Sequence, residues 1–322
     1  MDLDSLMNVE LSLTIILLVP LVVVATAGVF YLYSVVLRLV SKVTVRNKVV
    51  VITDALSALG RECAKVFHQG GARLILCGKS WERLDLLAEE LANASDPSLT
   101  FPPKVVQLDF GDMESLPEVI TEVLDCYGCL DVLILNNSLK VRGPVQNLSL
   151  QMDKAVMDSN YFGPVTLAKG LLPSMISRRT GHLLLVNSIQ GKLAMPFRTT
   201  YAASKHAVQA FFDCLRAEVQ EYGILVSTLS TTFISSPTPP SEEDKPTPSV
   251  WSVFSRKTVF GVTAEEAASE LVKTLSSRKQ EVVMARSLPK AAIYARSFFP
   301  NVFFAVMAAG VRNAAAVEEL EQ

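Results

Sequence analysis

Tyr201 and Lys205 stand four residues apart in a Tyr-Ala-Ala-Ser-Lys run, with Ser188 thirteen residues before Tyr201 and Asn160 twenty-eight residues before Ser188. On a helix, an i, i+4 spacing puts the phenol and the ammonium on one face. A phenol titrates near ~10 in water, so it needs help to act as an acid or base near neutrality. A lysine cation close by favours the phenolate, and a serine hydroxyl can hydrogen-bond a carbonyl or alkoxide oxygen. The set is suited to moving a proton on or off an alcohol or a ketone.

Such a site needs elements that hold it, and the pattern around it supplies them. Short β-branched or leucine-rich runs at 49–53, 73–77, 105–108, 132–135, 182–186, 225–229 and 281–284 read as strands. Helix-length amphipathic stretches at 60–68, 81–92, 116–126, 152–177 and 202–222 alternate with them. Alternation of this kind implies right-handed crossovers and a parallel sheet covered on both faces. Strands as continuously apolar as Val132-Leu-Ile-Leu135 agree with burial on both sides. The expected architecture is α/β: a Rossmann-like, doubly wound, three-layer α/β/α domain over residues 46–290. A Pro-rich acidic stretch at 235–250 reads as a loop, either a lid or a connector. The apolar segment within 291–322 reads as a core-packing helix or as an interfacial segment near a lipophilic substrate's access route.

The chain has 322 residues, 50% of them hydrophobic, and a net charge of -2, which gives no sign of a nucleic-acid partner. Residues 11–37 carry no charge and are long enough, at ~1.5 Å per residue, to cross a ~30 Å hydrocarbon core. Residues 1–45 are therefore expected to be a membrane anchor with its basic flank. Asp2, Asp4 and Glu10 precede the run and Arg38, Lys42, Arg46 and Lys48 follow it, which puts the large domain in the cytosol. The alternative is secretion after cleavage near Ala25 and Ala27, although no basic segment precedes the run. Five cysteines, an odd and sparse set, describe no disulfide framework, and the Cys126, Cys129 pair lacks the further ligands of a metal site.

Three segments, Asn160-Tyr-Phe-Gly-Pro164, Ser188-Ile-Gln-Gly-Lys192 and the stretch 196–216 around the Tyr-Lys pentad, resemble the short-chain dehydrogenase/reductase family, and the likeness extends over roughly residues 46–290. The resemblance implies NAD(P)-dependent oxidation of an alcohol or reduction of a carbonyl. In that family's scheme Tyr201 is the general acid/base, Ser188 positions the reacting oxygen, Lys205 binds the nicotinamide ribose and Asn160 orders a water in the proton relay. It further implies a lipophilic substrate such as all-trans-retinol, an endoplasmic or sarcoplasmic reticulum membrane, and a homodimer paired through the long helices. Taken singly, Ser188 reads equally well as a strand-end cap, Asn160 as a turn residue and Lys205 as a solvated helix charge.

The nucleotide end departs from the family's pattern. Its loop, Thr-Gly-x-x-x-Gly-x-Gly, reads here Thr53, Asp54, Ala55, Leu56, Ser57, Ala58, Leu59, Gly60, so only the last glycine is kept. Glycines permit a tight turn and let the backbone approach a pyrophosphate at a helix N-terminus. Asp54 adds a negative charge near an anionic ligand, yet it could also hydrogen-bond a ribose hydroxyl or cap the helix. The Asn-Asn-Ala-Gly segment expected after the fourth strand is Asn136, Asn137, Ser138, Leu139, and Thr231, Thr232 replace a Pro-Gly pair. Asp109 matches the family's adenine-contacting position and also reads as a surface turn aspartate. The second strand ends in Cys77, Gly78, Lys79, without the acid that holds a free 2′-hydroxyl, and Lys79 could meet a 2′-phosphate. The residues thus lean toward NADP(H) while the resemblance points to NAD. These losses motivate the competing reading, a catalytically weak scaffold or regulator at the reticulum membrane.

Overall fold

The computed structural model describes residues 18, 21–22, 24–26, 28–29, 45–235 and 261–320. These divide into two compact units, residues 1–44 and 45–322. In the first, the described positions are helical and exposed. Most of the apolar run 11–37 lies outside the described residues, among which no helix is long and apolar enough to cross a membrane. The Pro-rich stretch also lies outside them, apart from Ser235.

The second unit alternates strand and helix: β1 (Val49–Ile52), α1 (Ala58–Gln69), β2 (Arg73–Gly78), α2 (Trp81–Asn93), β3 (Lys104–Gln107), α3 (Leu116–Tyr127), β4 (Val132–Leu135), α4 (Leu150–Met157), α5 (Gly163–Arg178), β5 (Gly181–Ser188), α6 (Thr199–Glu218) and β6 (Ile224–Thr231). After these come the short pair β7 (Ile234–Ser235) and β8 (Val262–Thr263), then α7 (Ala264–Ser277), β9 (Glu281–Met284), α8 (Ser287–Phe298) and α9 (Pro300–Leu320). Seven strands form one sheet in the order β3-β2-β1-β4-β5-β6-β9, and every pairing in it is parallel.

Side-chain alternation along the strands builds two cores. Val49 and Val51 face the layer that holds Phe212, Leu167 and Leu171 of α6 and α5. Val50 and Ile52 face Phe67 of α1, Leu87 of α2 and Leu271 of α7. All four residues of β1 and all four of β4 are buried, as a sheet covered on both faces requires. The chain order reverses between β1 and β4, so the carboxyl ends of those strands open the crevice where ligands bind in such sheets.

Two expectations are corrected. The stretch 152–177 is not one helix: α4 and α5 are separated by a π-helical turn, Asp158–Phe162. Pro164 has no N–H to give its helical acceptor, and the Gly163 amide reaches back to the Asp158 carbonyl instead. Gly163 is needed at this point, because a Cβ would lie 2.6 Å from the Phe110 ring. Of the two readings of the tail, a core-packing helix or an interfacial segment, the exposures do not fit the first. In α8 and α9, Phe298 is 73% and Phe299 66% exposed, with Val302, Phe304 and Val306 each above half.

Candidate active site

Four strand ends and one helix assemble the site. β5 delivers Ser188 at its last residue, where its Oγ accepts the Gln190 amide at 3.1 Å and caps a single 3₁₀ turn. Gly191 ends that turn against α6; a Cβ there would stand 2.5 Å from Asn187 Nδ2 and 2.7 Å from the Lys205 carbonyl. The close approach lets Asn187 donate to the Lys205 carbonyl (3.1 Å) and to Gln209 Oε1 (3.0 Å), clamping α6 to the strand end. Tyr201 and Lys205 thereby reach the crevice on one helix face, both buried, and Tyr201 shares its wall with Ser188.

Lys205 Nζ donates to the Asn137 carbonyl at 3.1 Å and lies 5.8 Å from the Tyr201 ring centroid. Burial first, and the Lys140 cation second, lower its pKa from 10.5 to about 7. The Tyr201 hydroxyl lies 3.2 Å from Ser138 Oγ. Asn160 occupies the π-helical turn, a distortion often found at functional positions. Its Oδ1 accepts the Leu139 amide at 2.7 Å, and its Nδ2 donates to the Leu139 carbonyl (2.9 Å) and to Ser204 Oγ (3.0 Å). The structure thus brings Ser188, Tyr201 and Lys205 to one crevice, while Asn160 is buried behind it, bracketing the segment after β4 and so fixing Ser138 against the phenol.

Ser138 was read in the sequence only as a departure from Asn-Asn-Ala-Gly. Its hydroxyl was the available signal, and the contact with Tyr201 depends on a loop 63 residues away in sequence. Lys140 was also missed; it lines the catalytic wall and acts electrostatically on both Lys205 and Asp54.

The residues expected to hold the nucleotide divide into frame and face. Thr53 is buried, and its hydroxyl bridges the Ile134 carbonyl (3.3 Å) and the Asn136 amide (2.9 Å), so it ties β1 to β4. Leu59 packs in the core beside Val50 and Cys63. Ser57 caps α1 by accepting the Gly60 amide at 3.1 Å and receives Asn136 Nδ2 at 2.9 Å. Gly60 is kept for steric reasons, since a Cβ would meet the Asp54 carbonyl oxygen at 2.3 Å. Asp54 sits at φ 49, a left-handed conformation suited to the glycine it replaces. Burial raises its pKa to about 6 against the opposing pull of Lys79 and Lys140. Lys79 Nζ lies 2.9 Å from Asp109 Oδ1, which also accepts the Gly111 amide at 2.8 Å. Burial alone would raise the Asp109 pKa, but these bonds and the Lys79 charge hold it below the ordinary value.

A family model described as short chain dehydrogenase matches residues 48–247. The chain belongs to the short-chain dehydrogenase/reductase family. It is 64% identical over 301 residues to Dehydrogenase/reductase SDR family member 7C-B of Danio rerio, covering 93% of this chain and 94% of that one. To member 7C of Homo sapiens it is 56% identical, covering 94% and 97%. Among solved structures, a short-chain dehydrogenase from Streptomyces avermitilis matches with a TM-score of 0.66 at 21% identity, over 86% of this chain and 98% of that one. A metagenomic short-chain oxidoreductase in complex with NADP matches with a TM-score of 0.60 at 20% identity, over 75% and 97%. These structures share the Rossmann-like sheet, and the family assigns the chain to NAD(P)-dependent oxidoreductases.

This dehydrogenase/reductase's own residues fit a nicotinamide nucleotide. The Lys205 ammonium has three donors and gives one to the Asn137 carbonyl. Asn187 Oδ1 and Gln190 Oε1, on residues lining the crevice, are buried acceptors without a protein partner among the described residues. Buried polar atoms of this kind call for a partner, and ribose hydroxyls or a carboxamide could supply donors. At the other end, α1 presents its N-terminus after the Ser57 cap, a position that favours an anion.

Proposed function

We propose that this protein moves a hydride between NAD(P) and a lipophilic alcohol or carbonyl, with all-trans-retinol and all-trans-retinal as the pair to test first. The observation that carries this reading is an apolar cavity of about 430 Å³ between α8 and α9, lined by residues such as Ala295, Phe303 and Met307. Leu193 and Met195 belong both to its wall and to the wall holding Ser188 and Tyr201, so these two side chains stand between the reacting centre and a space suited to a long hydrocarbon.

Bound nicotinamide supplies the hydride acceptor or donor. Tyr201 takes the hydroxyl proton of the alcohol in the oxidative direction and returns it in the reductive one, while Ser188 hydrogen-bonds the reacting oxygen. Lys205 holds the ribose and, in its protonated form, favours the phenolate by its charge. Ser138, fixed by Asn160 through Leu139, gives the Tyr201 proton an onward path. The 2′ end of the cofactor is where NAD and NADP differ. Lys79 is the residue that would favour NADP, and its pairing with Asp109 weakens that preference.

The exposed apolar face of α8 and α9, flanked by Arg286, Lys290 and Arg296, suits a bilayer surface from which such a substrate partitions. With residues 11–37 as an anchor, the domain would stand on the cytosolic face of the endoplasmic or sarcoplasmic reticulum, with α5 and α6 available for pairing with a second copy. Protease protection on sealed microsomes checks the orientation; a protected domain refutes it.

The decisive experiment follows NADH and NADPH formation by the full chain in lipid nanodiscs with all-trans-retinol and with a series of shorter alcohols. Turnover should rise with chain length, and Met195→Glu should abolish that rise while cofactor binding persists. A rate independent of chain length, or no turnover with any member, overturns the lipophilic substrate. Failure to bind either cofactor would leave the scaffold reading standing.

A further inference from the structure

In this fold an acidic side chain at the end of the second strand grips the free 2′-hydroxyl of NAD. Here that strand ends in Cys77, Gly78 and Lys79, none acidic. An acid nevertheless stands beside this position, supplied by the neighbouring strand. The amide of Ala55 donates to the Cys77 carbonyl at 2.9 Å, which lays the loop after β1 against the end of β2 and puts Asp54 next to it. The Asp54 main chain is pinned, since its carbonyl accepts the Ser57 amide at 3.1 Å and the Ser57 hydroxyl at 2.8 Å. Its left-handed φ of 49 fixes where the side chain leaves the backbone. Among the described hydrogen bonds none ends on the Asp54 carboxylate.

We propose that Asp54 is the residue that selects NAD over NADP, taking the ribose-binding role that the end of β2 has lost. The assignment rests on the NAD(P) reading given above. A carboxylate at this point accepts hydrogen bonds from the vicinal hydroxyls of the adenosine ribose and repels a 2′-phosphate. Lys79 would meet that phosphate only by sharing or leaving its exposed pair with Asp109, 2.9 Å away. The charged groups acting on Asp54 are Lys79, at the end of β2, and Lys140, in the segment after β4, with Asp109 behind Lys79. The raised Asp54 pKa, about 6, adds a signature: below that value the acid is protonated and its repulsion fades. The loss of the family's glycine at position 54 then has a use. The backbone keeps the glycine conformation while the side chain gains a selective charge.

Adenosine-end ligands test this without turnover. The full chain in nanodiscs is titrated calorimetrically with ADP-ribose and with 2′-phospho-ADP-ribose at pH 7.5 and at pH 5.5. The wild type should bind ADP-ribose tighter by about tenfold or more at the higher pH, with the gap narrowing at the lower one. Asp54→Asn, which tolerates the left-handed backbone, and Asp54→Gly, which restores the family's residue, should both reduce the gap to about threefold or less, chiefly by tightening the phosphorylated ligand. Adding Asp109→Asn to either should free Lys79 and invert the preference. An unchanged ratio in both single variants, or a wild type that favours the phosphorylated ligand, overturns the assignment while leaving NAD(P) use intact. Binding of neither ligand by the wild type overturns the cofactor reading and this assignment with it.

Discussion

The two halves of the crevice are built by different means. On the β4 to β6 side, chemistry depends on side-chain atoms: the Tyr201 hydroxyl, the Lys205 ammonium and the Ser188 hydroxyl share one pocket, held by Asn160 and Asn187. On the β1 to β3 side, the loop that would meet the nucleotide is set by backbone shape, so residue types there can change, and add a side chain such as that of Asp54, while the path of the chain persists. Asp54 shows this by adopting a glycine-like φ of 49, and Gly60 marks where no substitute fits. A side-chain machine leaves its identity in the sequence, whereas a backbone cradle leaves only its steric limits.

The largest effect should come from the side-chain half. Tyr201→Phe removes the proton carrier but no packing volume, and should lower turnover by about 10² to 10⁴. Affinity for NADH should stay within about threefold, since the ring itself remains. Full activity in this variant would end the acid/base assignment. Stopped-flow hydride transfer and equilibrium titration measure the two quantities separately.

Lys205→Met cuts across both halves. The ammonium is buried, and its pKa is lowered from 10.5 to about 7. Between pH 7 and 10.5 the unfolded chain holds a proton that the folded chain has released, so stability from this group rises with pH across that window and is flat below it. Methionine has no charge to desolvate. The variant should therefore melt higher than wild type at pH 7, lose the slope between pH 7 and 10, and bind NADH more weakly. A wild-type melting temperature that falls from pH 7 to pH 9, with no difference in slope from the variant, would contradict this account.

How much was legible follows the same division. The strands 132–135 and 281–284 match β4 and β9 residue for residue, since apolar runs bounded by turn residues define both. Tyr201, Ser188, Lys205 and Asn160 stand out in the sequence because each is marked by its own functional group, and the first three line one pocket in the structure. The π-helical turn at Asp158–Phe162 was not, because one extra residue in a turn hardly disturbs an apolar pattern read over 26 residues. Ser138 was hidden because its partner is brought to it by the sheet. Lys79 misled, because its ion pair with Asp109 joins two strand ends that sequence distance does not connect. The exposed phenylalanines of α8 and α9 carry the same composition as a buried helix, so only the fold tells them apart.

Gly60→Ala probes the steric limit of the backbone half. The added Cβ would stand 2.3 Å from the Asp54 carbonyl oxygen and 2.7 Å from Ala55 Cα, both backbone atoms that cannot rotate away. A loss of about 3 kcal/mol is expected, the upper range for overpacking, read from the urea midpoint at constant m. An effect below about 0.5 kcal/mol, the level of an indifferent surface site, would show that the loop is not constrained as described.

Asp54→Asn should do the least to the fold, and with the opposite sign. Burial raises the Asp54 pKa from 3.8 to about 6. Between those values the folded chain holds the proton more tightly, so stability falls as pH rises from 3.8 to 6, and the penalty is complete above 6. At about 1.4 kcal/mol per unit the limit is about 3 kcal/mol, and access of water to part of the side chain should bring the observed gain at pH 7 nearer to about 1 kcal/mol. Asparagine keeps the tolerance for the left-handed backbone, so the change isolates the charge. At pH 4 the variant and the wild type should melt together. A variant less stable than wild type at pH 7 would mean that Lys79 and Lys140 stabilise the carboxylate more than burial opposes it, and the two halves of the crevice would then share a design in which charges are satisfied before any ligand arrives.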